Sequence, residues 1–105
     1  MSVYLVGVGM TKFGRLPDSS VKDITTAAVS AALADAGIGT EAIEAAYFAN
    51  ATQGALEGQY MIPGQVALRE MGIEGVPVVN VENACASAST AFALACKDIR
   101  AGDAS

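Results

Sequence analysis

The stretch VVNVENACASASTAF, from Val78 to Phe92, joins an apolar run to a cysteine and a series of small residues. The apolar run extends from Val76 to Val81 and is continuous, which is typical of a buried strand. The small residues after it, with basic residues towards the end, favour a helix over Cys85–Arg100 that Gly102 closes. This stretch therefore predicts a strand followed at once by a helix.

Two more strands are predicted upstream. The segment Val3–Gly9 is rich in β-branched residues and stops at a glycine, and Ala46–Ala51 is a second short apolar run. The continuous apolar character of these runs predicts strands that are covered on both faces.

The segments between the strands carry helical signals. Ser20 with Asp23 three residues later resembles a capping box, and the helix that it begins is expected to end at Gly37. Pro63–Met71, with proline in the first turn and glycine next, predicts a second helix. Residues 40–45 predict a short helical turn capped by Thr40, whereas residues 52–61 contain glycines and predict a loop.

The predicted order is β-α-β-α-β-α, which indicates an α/β fold with a mainly parallel sheet and helices on both faces. A sheet of three parallel strands would leave open apolar edges. We therefore expect the 105 residues to be an incomplete domain from a longer polypeptide.

Composition excludes several classes of function. A hydrophobic content of 52% supports a core, whereas a net charge of −5 with scattered basic residues argues against nucleic-acid binding. The apolar amino terminus is too short to span a bilayer and lacks the basic start of a signal peptide. These features predict a cytoplasmic protein without a membrane partner.

The sequence excludes several kinds of catalytic and binding site. The sequence contains no histidine, which excludes a Ser-His-Asp triad and most zinc sites within it, so no metal is expected. The glycines near Gly7 and Gly9 fit neither a dinucleotide fingerprint nor a phosphate loop. Lys12 occupies the position of the fingerprint's third glycine, and Arg15 occupies the position of the phosphate-loop lysine. If Cys85 and Cys96 share a helix they lie about 16 Å apart, so both thiols should be free.

Cys85 has a chemically distinctive predicted position. The amino-terminal end of a helix carries unpaired N–H groups and partial positive charge, which favour a thiolate and can stabilise an oxyanion. Free cysteines are also among the most buried residues, so position alone fits either a nucleophile or a small core residue. Cys96, further along the same helix, is predicted to lie in the core.

The segment VENACASAST, residues 81–90, resembles the nucleophile segment of the thiolase family, especially sterol-carrier-protein-type thiolases and related acetyl-CoA acetyltransferases. VGVGMTKFGR, residues 6–15, is similar to the opening strand and loop of that family. The resemblance covers the whole chain and implies that residues 1–105 are part of a thiolase N-terminal domain.

The resemblance implies that Cys85 is the catalytic nucleophile and that its backbone N–H contributes to an oxyanion hole. It would attack a coenzyme A thioester or the keto carbon of a 3-ketoacyl-CoA, and a second CoA substrate would resolve the acyl-enzyme by thiolysis or Claisen condensation. Coenzyme A thioesters are then substrates, and no permanently bound cofactor is implied. The resemblance also implies a homo-oligomer, a dimer or tetramer, with contacts near PVVNV at residues 77–81.

The chain departs from the family pattern and lacks part of it. Ala88 stands where many members have glycine, which bears on acyl-chain size. The family's histidine, its second catalytic cysteine and its CoA-holding loop have no counterpart here, so the chain alone should show little or no turnover. Two alternatives remain open: a ketoacyl or hydroxymethylglutaryl synthase of the same fold, or a non-catalytic short subunit that assembles with a full-length partner.

Overall fold

A computed structural model describes residues 2–105. Within this range the chain forms helices, one 3₁₀ turn and two strands. In chain order these are α1 (Val21–Ala36), the 3₁₀ turn (Thr40–Ala42), β1 (Ala46–Ala49), α2 (Gln53–Glu57), α3 (Pro63–Arg69), β2 (Val78–Val81) and α4 (Ser87–Ala101).

The strands β1 and β2 pair in parallel, with Ala46 opposite Val78. Successive side chains of a strand point to opposite faces, and the neighbours of β1 follow this rule. Phe48 lies against Gly64 of α3, whereas the hydroxyl of Tyr47 donates a hydrogen bond to Asp98 of α4. The two helices therefore cover opposite faces, which confirms an α/β fold with a parallel sheet between helices.

The predicted strand at Val3–Gly9 is wrong, and the described sheet has two strands rather than three. This segment lies along α1, where Gly7 and Gly9 approach the helix backbone so closely that a Cβ at either position would collide with it. The Val8 N–H donates to the Asp35 carboxylate at 3.0 Å instead of to a strand. An apolar run can be read locally, but strand pairing needs a distant partner that residues 2–105 do not supply.

Both paired strands are shorter than predicted. The strand β1 ends at Ala49 rather than Ala51, because the Asn50 side chain accepts the N–H groups of Thr52 and Gln53 and turns the chain. The strand β2 begins at Val78 rather than Val76. Pro77 lacks an N–H for the ladder and contributes only its carbonyl oxygen, to Ala46.

Three predicted segments between the strands also need correction. The loop predicted over residues 52–61 contains α2, which ends at Gly58 with φ of 76°. The helix predicted to reach Met71 ends at Arg69. After it, the N–H groups of Met71 and Gly72 donate to carbonyl oxygens three residues earlier, and Gly72 has φ of 84°. Thr40 is the first residue of its 3₁₀ turn rather than its cap.

The helix α1 begins and ends as predicted. The Ser20 hydroxyl accepts the Asp23 N–H at 3.2 Å and the Asp23 carboxylate accepts the Ser20 N–H at 2.9 Å, which completes a capping box. Gly37 closes the helix in the left-handed region, with φ of 72°. At the other end of the chain, Gly102 closes α4 in the same way, with φ of 85°.

The core lies where α3 and α4 meet the two strands. Its buried apolar side chains are small or medium in size, and they include Ala67, Leu68, Ile73, Val81 and Ala91. Gly64 lets α3 approach the sheet closely. Because β1 and β2 are parallel, their carboxyl ends lie at the same edge.

Candidate active site

Cys85 lies on the turn that joins the carboxyl end of β2 to α4. It is exposed and its thiol is free. The helix begins at Ser87 and is preceded by Ala86 as its cap, so the prediction that Cys85 opens the helix is wrong by two residues. Cys85 therefore lies just before the helix, on a turn that is open to solvent.

The turn has an unusual backbone at Ala84, the residue before Cys85. Ala84 adopts φ of 48°, in the left-handed region that favours glycine. The Ala84 N–H donates to a carboxylate oxygen of Glu82 at 2.7 Å, and its carbonyl oxygen accepts the Ser87 hydroxyl at 2.8 Å. This conformation explains why α4 cannot begin at Cys85.

Polar backbone groups surround the start of α4. The Ala86 N–H donates to the Asn83 carbonyl oxygen at 2.9 Å, and the Ser87 N–H donates to that of Ala84 at 3.2 Å. The next N–H groups, of Ala88 and Ser89, have no carbonyl one turn earlier within the helix. No side chain caps this end. The partial positive charge of the helix terminus is therefore available to the segment that carries Cys85.

A cavity of about 490 Å³ lies at the carboxyl ends of the two strands. Ligands of parallel α/β sheets commonly bind at this edge. Asn50 and Gln53 line the cavity on the β1 side, and Val81 and Glu82 line it on the β2 side, three residues before Cys85. Tyr60 and Pro63 complete its wall. The volume is within the range of small-molecule sites.

Sequence reasoning missed the polar residues that shape this edge. The Asn80 side-chain oxygen accepts the Gly64 N–H at 2.7 Å, and its nitrogen donates to Gln65 at 2.7 Å, so β2 is tied to the start of α3. Asn50 was hidden in a predicted strand. The available signal was that each asparagine lies one residue before the carboxyl end of a predicted strand, at the edge where the ends of parallel strands lie together.

The other candidates have different outcomes. Cys96 was predicted in the core but is only half-buried, on α4, and its thiol is free as predicted. Within residues 2–105 no group of histidine, cysteine or acidic side chains is arranged to hold a metal ion. No helix in the same range combines the length and apolar character needed to cross a bilayer.

Comparison with known families identifies the chain. The family model described as "Thiolase, N-terminal domain" matches residues 3–105. The chain belongs to the thiolase family. The match includes the segment that contains Cys85 and the edge of the cavity. It also includes residues 6–15, the amino-terminal segment that resembles the family.

Several curated relatives are similar in sequence to this thiolase-family chain. It is 41% identical to "Non-specific lipid-transfer protein-like 2" of Caenorhabditis elegans, over 96% of this chain and 24% of that protein. It is 36% identical to a benzoylsuccinyl-CoA thiolase subunit of Thauera aromatica, over 95% of this chain and 25% of that protein. It is 34% identical to an acetyl-CoA acetyltransferase of Methanocaldococcus jannaschii, with the same two coverages. The chain thus spans about a quarter of each relative.

The fold also matches a solved structure. The crystal structure of 3-oxoacyl-[acyl-carrier-protein] synthase III from Aquifex aeolicus superposes with a TM-score of 0.69 at 21% identity. The match covers 81% of this chain and 27% of that one. At this identity the similarity concerns the fold, and it agrees with an α/β segment of a thiolase-like domain.

Proposed function

We propose that this chain supplies the nucleophile of a coenzyme A-dependent acyltransferase and that Cys85 is the acyl-accepting residue. The observation that carries the proposal is the position of Cys85, exposed on the turn between β2 and α4 within the matched thiolase segment. The thiolate, rather than the thiol, is the attacking species in such a transfer.

The proposed first step transfers an acyl group to sulfur. The Cys85 sulfur attacks the carbonyl carbon of an acyl-CoA, the carbon–sulfur bond to CoA breaks, and CoA leaves with the proton that the cysteine lost. For a 3-ketoacyl-CoA the attack falls on the keto carbon, the bond from that carbon to the α-carbon breaks, and acetyl-CoA leaves once the α-carbon gains a proton. The Cys85 N–H would stabilise the oxyanion that forms during the attack.

The second step regenerates the thiol. A CoA thiol takes the acyl group in thiolysis, or an acetyl-CoA carbanion takes it in condensation. Coenzyme A thioesters are the proposed substrates, with no permanently bound cofactor. The chain has no histidine, and we assign the proton transfers to residues outside it. The relatives named thiolase or acetyl-CoA acetyltransferase support this class of reaction.

The test is acylation of the complete protein that carries this chain. We expect acetyl-CoA to add one acyl group, detected by intact mass and mapped by peptide analysis to Cys85. Cys85→Ala should abolish the adduct, and Cys96→Ala, which removes the half-buried thiol of the same region, should retain it. An adduct that persists in Cys85→Ala, or that maps to Cys96, contradicts the proposal.

A second candidate is a ketoacyl or hydroxymethylglutaryl synthase, an alternative that the fold shared with synthase III leaves open. Such an enzyme would also acylate Cys85, so the acyl adduct does not separate the two reactions. The complete sequence does: a downstream Gly-His-Pro motif and a late Cys-x-Gly favour a thiolase. Two downstream histidines without the late cysteine favour a synthase.

A non-catalytic assembly subunit is the third candidate. Many large apolar side chains are exposed, including Tyr4, Phe13, Leu56, Tyr60 and Met61, and such surfaces favour association with protein. The first measurement is the intact mass of the protein purified from its own cells, which distinguishes a short subunit from a longer enzyme. A mass of 10.6 kDa with a tightly bound larger partner, in which Cys85→Ala changes no activity, would support assembly.

A further inference from the structure

Ser87 is buried at the first position of α4, with 5% of its surface exposed. Its hydroxyl accepts the Asn83 N–H at 2.8 Å and donates to the Ala84 carbonyl oxygen at 2.8 Å. A single small side chain therefore binds two backbone groups of the turn that leads into Cys85.

These bonds hold a backbone conformation that is unfavourable by itself. At φ of 48°, Ala84 lies where the Cβ of an L-residue crowds the following carbonyl. The Glu82 carboxylate binds the N–H of Ala84 and the Ser87 hydroxyl binds its carbonyl oxygen. Both polar groups of the left-handed residue are thus bound by side chains, one from each side of the turn.

Ser87 does not serve as a helix cap. The cap residue of α4 is Ala86, which has no side chain able to bond the helix. The Ser87 hydroxyl bonds backwards to Asn83 and Ala84, and not to an N–H of the first helical turn. Its bonds therefore act on the turn that carries Cys85, and stabilisation of α4 does not account for them.

We propose that Ser87 is a positioning residue for Cys85: it holds Ala84 in the left-handed region and so fixes the direction in which Cys85 leaves the turn. Glu82 acts as the second restraint on the same residue. The inference rests on the proposed function of Cys85 as acyl acceptor. Acyl transfer requires the sulfur to meet a carbonyl carbon along a narrow approach, so a small misplacement is costly.

The test compares two reactions of the same thiol in the complete protein. Acylation by saturating acetyl-CoA depends on orientation, whereas alkylation by iodoacetamide depends on access and the thiolate. We expect Ser87→Ala to slow the maximal acylation of Cys85 by on the order of tenfold to a hundredfold while its alkylation rate is unchanged. Ser89→Ala, which removes an exposed serine from the same helical turn, is the matched control and should acylate at the wild-type rate.

A second pair of variants decides the question if Ser87→Ala fails to fold. Glu82 is exposed, so its replacement does not threaten the core. Glu82→Gln keeps an oxygen that can accept the Ala84 N–H, and Glu82→Ala does not, although both remove the charge. We expect acylation to be several-fold slower in Glu82→Ala than in Glu82→Gln, with equal alkylation.

The outcomes separate the two proposals. A wild-type protein without an adduct at Cys85 overturns both the proposed function and the role of Ser87. A wild-type adduct together with wild-type acylation in folded Ser87→Ala overturns the positioning role alone. If that variant is unfolded, equal acylation in Glu82→Ala and Glu82→Gln overturns it. Acylation and alkylation that fall together in Ser87→Ala also overturn it, since they indicate a general loss of structure.

Discussion

Asp23 stabilises the amino terminus of α1 through its ionised form. Its carboxylate accepts the Ser20 N–H at 2.9 Å, and this bond, with the hydrogen bond to the Ser20 side chain, holds the pKa of Asp23 below its ordinary value of 3.8. A carboxyl whose pKa is lowered by folding adds stability above its unfolded pKa. That contribution is lost as the pH falls through the folded pKa.

We predict that Asp23→Asn lowers the urea midpoint of the complete protein at pH 7. The difference from wild type should shrink as the pH is lowered through the depressed pKa, because the wild-type carboxylate is then protonated. Asp18→Asn, which neutralises an exposed acid five residues earlier, is the control. A difference between Asp23→Asn and wild type that does not change with pH would contradict this account.

At the scale of single residues, the sequence predicted Ser20, Asp23 and Gly37 well and Cys85 only in part. A capping box and a closing glycine are local signals, because the interacting atoms lie within one helical turn. The start of α4 depends instead on the left-handed Ala84. An alanine carries no sequence signal for that conformation, so Cys85 was placed inside the helix.

Gly64 sets the distance between α3 and the sheet. A Cβ there would lie 2.6 Å from the Cβ of Phe48 and 2.9 Å from a methyl group of Val78, both on the sheet. Gly54 in α2 has a similar near contact, at 2.5 Å, but with the ring of Tyr60, which is 77% exposed. The first neighbours are fixed to strand backbone, whereas the ring of Tyr60 can rotate away.

We predict that Gly64→Ala lowers the free energy of unfolding by roughly 1–3 kcal/mol, because overpacking against the sheet outweighs the higher helix propensity of alanine. Gly54→Ala is the matched control, and should be neutral or stabilising by up to about 1 kcal/mol. Urea unfolding of both variants in the complete protein measures the difference. Equal effects of the two substitutions would show that close packing at Gly64 is not the cause.

At the scale of elements, helices were predicted better than strands. Each helix seen in the sequence exists, since proline, glycine and capping residues act within the helix that they bound. The segment Val3–Gly9 has a strand-like composition but no strand partner among residues 2–105. The helix α2 was missed because its five residues, one of them glycine, are too few to show a helical periodicity.

At the scale of the whole molecule, the residues described here hold one thiol at one edge of a small sheet. The cavity at the same edge has walls from both strands and from α2, and the sequence contains no histidine. The chain also spans a quarter or less of the length of its curated relatives. We therefore expect the proposed reaction to take its acid and base groups from outside this chain.

We predict that the 105-residue chain prepared alone turns over acetoacetyl-CoA at least ~10²-fold more slowly than the complete protein, since acid–base partners contribute about that much or more. Thiolysis is measured as the loss of the substrate's enolate absorbance. Cys85→Ala of the complete protein is the inactive reference. Robust turnover by the isolated chain would show that the chain's own residues supply the acid and base.

The close approach of Gly7 and Gly9 to α1 has an evolutionary consequence. A side chain at either position would strike main-chain atoms of α1, next to alanines that already have the smallest side chain with a Cβ. A second substitution cannot shrink a backbone oxygen, so no compensating change in α1 restores the fit. We therefore expect neither a single substitution at Gly7 or Gly9 nor one paired with a change in α1 to be tolerated. Related chains with a larger residue at either position should have α1 shifted as a whole.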